Sequence, residues 1–139
     1  MKGVVRAERS IKPIAERFER QDRGAHIVLT RSNRPQDFGV AEIRNGRVTR
    51  IVEKPKNPTS NWIVTGIYFY DSSVYEVIET LKMSRRGELE ITDVNRACLR
   101  AGTLGFSRLH GWWADCGQGP DALLAAANLV QRTGANRTQ

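Results

Sequence analysis

Apolar positions along this chain change their period several times, and each change marks an element. Ile11, Ile14, Ala15 and Phe18 recur at spacings of three and four, flanked by Glu8, Arg9, Glu16, Arg17 and Glu19. That stripe predicts an amphipathic helix over residues 8–22, with Pro13 near its start and Arg23-Gly24 closing it. Residues 25–30 are a short apolar strand, followed by a polar loop over 32–37. Residues 38–43 and 47–52 are two strands around Asn45-Gly46, the dipeptide of a two-residue hairpin. Pro55 lacks an N–H for a sheet ladder and ends the second strand, leaving Glu53 and Lys54 at its C-terminal end. Ligands of open α/β sheets sit at that edge. After a turn-rich loop over 57–61, residues 63–70 form a run long enough for a buried strand. Gly66 in its middle removes a side chain where a backbone or a ligand comes close.

Ser73-Val74-Tyr75-Glu76 matches a capping box, which opens a helix through Leu81. Leu89, Val94, Ala97, Cys98 and Ala101 outline another helix, closed by Gly102. Residues 104–113 read as one strand, broken by Asp115-Cys116-Gly117. Pro120-Asp121 opens an alanine-rich helix, and residues 132–139 are a polar tail expected to fray. His26 and His110 fall in apolar strands and fill space. Helices and strands in this order predict an α/β fold, a mixed sheet with flanking helices and a β-hairpin.

Composition changes this picture little. The chain has 139 residues, 40% hydrophobic and 27% charged, which bounds it to a single globular domain over 1–139. No apolar run approaches the roughly 18 residues of a membrane span, and the N-terminus lacks a signal-peptide core. Two cysteines without a Cys-x-x-Cys indicate neither a disulfide framework nor a zinc site, so a cytoplasmic location is expected. The net charge of +7 attracts anions. Its lysines and arginines are interleaved with acids, as on solvated faces, and no nucleic-acid motif accompanies them. Phosphorylated small molecules are the expected partners. Nucleic acid and membrane are not.

The stretch Glu53-Lys54-Pro55 through Val64-Thr65-Gly66 to Asp71 resembles the sugar-binding half of the sugar-phosphate nucleotidylyltransferases. Three further motifs stand in that family's order: Phe38-Gly39-Val40, Arg86-Gly87-Glu88-Leu89-Glu90-Ile91-Thr92-Asp93 and Trp113-Ala114-Asp115-Cys116-Gly117. Together they cover roughly residues 24–130, and an ordered set is far more specific than any one of them. The chain is most similar to the glucose-1-phosphate thymidylyltransferase branch, which makes dTDP-glucose from dTTP and glucose 1-phosphate. The resemblance implies a truncated, Rossmann-like nucleotidyltransferase fold.

By resemblance, Lys54 is the catalytic residue that contacts the phosphate of a sugar 1-phosphate, and Glu53 accepts hydrogen bonds from the sugar hydroxyls. Gly39, Val64 and Gly66 line the pocket through backbone groups, with Trp113 as core or pocket wall. Asp115 is one of two aspartates that hold Mg²⁺, a hard cation suited to carboxylate oxygens. Taken alone, Asp115 reads equally well as an Asx-turn, Lys54 as a surface lysine, Glu53 as an ion-pair partner and each glycine as a bulge or tight packing. Cys116 and Gln118 stand where the family has threonine. The segment from Arg86 to Glu90 reads as packing or subunit contact.

The family's glycine-rich nucleotide loop, the lysine after it and its Gly-Asp-Asn segment with the second metal aspartate have no counterpart in these residues. The chain is therefore expected to be inactive alone. It would act with a missing N-terminal half or as a homo-oligomer, or it would serve as a non-catalytic sugar-phosphate-binding module that regulates a full-length relative. A basic scaffold or nucleic-acid-binding role on a borrowed fold is the third reading.

Overall fold

Asn45 and Gly46 both take positive φ, 50° and 73°, the backbone that a two-residue turn needs to match the twist of its strands. They join β3 (Gly39–Arg44) to β4 (Arg47–Glu53) in antiparallel register, from Arg44 opposite Arg47 to Gly39 opposite Glu53. The computed structural model describes residues 3–5, 11–21, 23–84 and 87–133. Before the hairpin come β1 (Gly3–Val5), α1 (Lys12–Glu19) and β2 (Ala25–Arg31). After it come β5 (Trp62–Tyr70), α2 (Val74–Thr80), α3 (Ile91–Arg100), β6 (Leu104–Arg108), β7 (Trp113–Asp115) and α4 (Pro120–Thr133). Single 3-10 turns stand at Pro35–Asp37 and Cys116–Gln118.

Five strands form one mixed sheet in the order β4-β3-β5-β2-β6. β2 runs parallel to β6 and antiparallel to β5, and β1 pairs with β7 in a separate two-stranded ribbon. Ile27, Leu29, Ala41, Val48, Ile51 and Val64 make the buried core, with Leu99 of α3 and Trp62, Tyr68, Leu104 and Phe106 packed against it. Each fully buried aliphatic side chain contributes about 1.5–3 kcal/mol relative to exposure. Arg96 of α3 donates from Nε to the Ile51 carbonyl at 2.8 Å and from Nη1 to Asp93 at 2.9 Å, tying the helix to β4. This is the mixed sheet with flanking helices and a hairpin that the periodicity predicts.

Three local expectations change. No capping box forms at Ser73, whose backbone is helical and whose hydroxyl and N–H both donate to Asp71 Oδ1, at 2.5 and 2.9 Å. A carboxylate two residues upstream is the stronger acceptor and takes the hydroxyl that the cap would use. The strand expected over 104–113 divides: β6 ends at Arg108, Gly111 turns at φ 106°, and β7 leaves to pair with β1. His110 therefore lies exposed in a connection rather than in a strand. Helix α4 runs on to Thr133, two residues into the expected polar tail, and 134–139 lie outside the described residues. So do residues 8–10 and 22 of the first predicted helix. No described helix is long and apolar enough to cross a membrane.

Candidate functional site

Gly39 opens β3 and Glu53 ends β4, and their register sets them opposite one another at one end of the sheet. Glu53 Oε2 accepts a hydrogen bond from Thr92 Oγ1 at 2.5 Å. Thr92 stands in the first turn of α3 and is 4% exposed. A Cβ on Gly39 would lie 3.2 Å from Glu53 Oε2, 3.6 Å from Thr92 Oγ1 and 3.6 Å from Val64 Cγ2. Gly39, Glu53, Val64 and Thr92 thus share one small space, and the glycine is what keeps it open.

Lys54 follows directly. Its φ is 40°, and its N–H donates to the Phe38 carbonyl at 3.0 Å, which closes the strand end. Its side chain is exposed and makes no ion pair among the described residues. Asn45 and Lys54 are the two described non-glycine residues with positive φ. The hairpin explains Asn45, and no turn chemistry explains a lysine there.

Gly66, at φ 84°, sits in a bulge. Ile27 faces Tyr68 and Leu29 faces Val64, so Thr65, Gly66 and Ile67 together oppose Val28. The plain reading of this glycine holds, and the bulge has a consequence. Thr65 Oγ1 donates to the Val28 carbonyl at 2.9 Å, and the Thr65 carbonyl accepts Trp113 Nε1 at 3.1 Å. The Trp113 ring meets Phe38 edge to face, with centroids 5.4 Å apart and planes at 75°. Gly66 and Trp113 therefore support the wall from which the Phe38 carbonyl holds Lys54.

Asp115, two residues past Trp113, is 7% exposed. Its Oδ1 accepts the Gly117 N–H at 2.8 Å, the Asx-turn of the bland reading, and Oδ2 accepts Gln118 Nε2 at 3.0 Å. Each oxygen keeps a lone pair, so Asp115 fits as one donor to a magnesium ion, which takes its other ligands from water and phosphate. Among the described residues no three His, Cys, Asp or Glu side chains gather to hold a metal. An open cleft of about 370 Å³ lies beside these groups, lined by Ser32, Asn33, Arg34, Asp37, Phe38 and Gln118. Phe38 connects it to Lys54 and Gln118 to Asp115.

Burial, and then the Glu53 carboxylate, push the Tyr68 phenol up to about 12, so it stays neutral beside the site. Thr92, Phe38 and Tyr68 were not singled out as site residues from sequence. Thr92 falls in the motif over residues 86–93, just past the 86–90 segment that reads as packing or subunit contact, and a buried hydroxyl in a first helical turn gives no periodic signal. Arg86 of that segment lies outside the described residues, and Glu90 accepts from Ser84 Oγ at 3.2 Å.

The five-stranded mixed sheet with flanking helices is a Rossmann-like nucleotidyltransferase fold, and it carries Gly39, Glu53 and Lys54 at one strand end. The nucleotidyl transferase family model matches residues 4–133. The low-salt glycan biosynthesis nucleotidyltransferase Agl11 of Haloferax volcanii is 40% identical over 119 residues, which are 84% of this chain and 33% of that protein. A glucose-1-phosphate thymidylyltransferase of Xanthomonas campestris pv. campestris is 43% identical over 118 residues, 83% of this chain and 40% of that protein. A solved Bacillus anthracis structure, described as a glucose-1-phosphate thymidylyltransferase in complex with sucrose, superposes with a TM-score of 0.83 at 41% identity. It covers 96% of this chain and 52% of that one. The chain belongs to the nucleotidyl transferase family, and it spans 33% to 40% of the length of these two curated relatives.

Proposed function

We propose that this chain forms the sugar 1-phosphate-binding portion of a sugar-phosphate nucleotidyltransferase, of the type that converts dTTP and glucose 1-phosphate to dTDP-glucose and pyrophosphate. The observation that carries this reading is Lys54, held at φ 40° beside the anchored Glu53 and making no ion pair among the described residues. Backbone strain in a non-glycine residue persists where the surroundings enforce it, and it clusters at functional sites. Lys54 places a compact positive charge against the phosphate of the sugar 1-phosphate. Glu53, with one oxygen fixed by Thr92, turns the other to the sugar hydroxyls. Gly39, Val64 and Gly66 shape the pocket, and Trp113 stiffens its wall. Asp115 would hold Mg²⁺, which when bound neutralises charge on phosphoryl oxygens. Sugar 1-phosphates and nucleotide sugars are the ligands, and the nucleotide site comes from a further polypeptide segment or a second copy.

A second reading is a non-catalytic sugar-phosphate-binding or regulatory module that uses the same Glu53 and Lys54 pocket without turnover. Both readings require glucose 1-phosphate to bind through Lys54. They separate in a turnover assay with dTTP, glucose 1-phosphate and Mg²⁺. The isolated 139-residue chain is expected to release no pyrophosphate above background. Steady release would refute the inactivity, and loss of glucose 1-phosphate binding in Lys54→Ala would support the pocket in either case.

A further inference from the structure

Two arginines converge on one tryptophan, and none of the three is among the site residues described above. The guanidinium carbon of Arg31 lies 5.0 Å from the Trp62 ring centroid and that of Arg108 lies 4.9 Å from it. The sheet register enforces this meeting. Arg31 on β2 pairs directly with Trp62 on β5, and Leu29 on β2 pairs with Arg108 on β6. Residues two apart on a strand share a face, as do direct partners across strands, so Arg31, Trp62 and Arg108 all lie on the face of Leu29. The indole packs against the core there, and both arginines are exposed at its rim.

Neither guanidinium meets a carboxylate among the described residues. Cation–π attraction holds each guanidinium to the ring, and the two like charges repel each other there. An anion between them removes that repulsion. Guanidinium forks match phosphoryl oxygens in bidentate geometry, so two forks on one ring offer a place for each of two linked phosphoryl groups.

We propose that Arg31 and Arg108, set on Trp62, form a diphosphate-binding site separate from the Lys54 site. The ligand is a diphosphate group, either free or at the end of a nucleotide, and binding is read from charge and forked hydrogen bonds alone. It falls with added salt, as phosphate-driven binding does.

The test is calorimetric titration of inorganic pyrophosphate into the full chain carrying Lys54→Ala, which removes the other candidate phosphate cation. Binding is expected to persist in that variant. It is expected to weaken about tenfold or more when Arg31→Gln and Arg108→Gln are added, as loss of charge-assisted hydrogen bonds requires. Arg31→Lys with Arg108→Lys keeps the charge without the forks and should give an intermediate affinity. Arg108→Gln alone, on an edge strand, serves if the double variant unfolds. A nucleoside diphosphate titrated in parallel identifies the source: equal binding points to a nucleotide's terminal diphosphate, and weaker binding to the free anion. Unchanged pyrophosphate affinity in the folded Arg31→Gln/Arg108→Gln variant overturns the proposal, as does complete loss of binding in Lys54→Ala alone.

Discussion

Lys54 holds a left-handed backbone that costs a non-glycine residue about 1–3 kcal/mol, and the fold retains it at a strand end. Lys54→Gly is therefore expected to raise stability by about 1 kcal/mol in denaturant unfolding while weakening glucose 1-phosphate binding about tenfold or more. A purely structural lysine would show the first effect without the second. Thr92 makes a complementary case. Thr92→Val removes the donor to Glu53 Oε2 and leaves a half-buried carboxylate unsatisfied, a loss of about 1–3 kcal/mol. Thr92→Ser keeps the hydroxyl and should recover most of it. At Gly39, alanine would press to 3.2 Å on the same carboxylate oxygen, so Gly39→Ala is expected to weaken sugar-phosphate binding more than it lowers the unfolding midpoint.

At the scale of elements, the docking of α1 depends on a buried histidine. Gln21 follows the helix, and its Nε2 donates to the carbonyls of Arg23, Ala25 and Thr103, which fixes its Oε1 as an acceptor. His26 Nδ1, 3.2 Å from that oxygen, must then carry the proton, and Nε2 accepts from Ser107 Oγ at 2.9 Å. Burial, and then the Arg17 charge, hold His26 below its ordinary 6.5. The unfolded chain takes up this proton first, so the contribution is full above pH 6.5 and is lost as pH falls through the lower folded value. Urea midpoints should drop between pH 7.5 and pH 5.5, and His26→Gln should flatten that slope. The opposite edge belongs to Tyr68. Its raised pKa keeps its contribution intact below pH 10, and that contribution is lost as pH climbs towards about 12.

The same elements show what could be read from residues alone. Hairpin, sheet strands and helix ends were legible because turn dipeptides and apolar periods are local signals. Asn45-Gly46 and the Gly102 that ends α3, where the Gly102 and Thr103 N–H groups bond the Leu99 and Cys98 carbonyls, are of this kind. What was not legible depends on competition or on distance. Asp71 outbids the Ser73 cap through a geometry that the sequence does not state. Residues 104–113 continue apolar past the point where the chain leaves its sheet. Glu53, Lys54 and Gly39 could be named from motif order, yet Thr92 could not, because a threonine 39 positions from its partner carries no periodic mark.

At the scale of the whole molecule, one strand-end pocket carries the proposed function. The relatives are two to three times longer, and this chain spans 33% to 40% of their length. The strand-end pocket lies wholly within that span. Its walls come from β3, β4, β5, α3 and β7, all within the described fold. The most direct measurement is calorimetric titration of glucose 1-phosphate and dTDP-glucose into the purified chain with Mg²⁺, repeated with Lys54→Ala and with Lys54→Gly. The expected result is saturable binding that weakens at least about tenfold in both variants, as removal of one charge-assisted contact requires, while both variants stay folded. Equal affinity in folded wild-type and variant chains, or no binding in a wild-type chain that unfolds cooperatively, would contradict it.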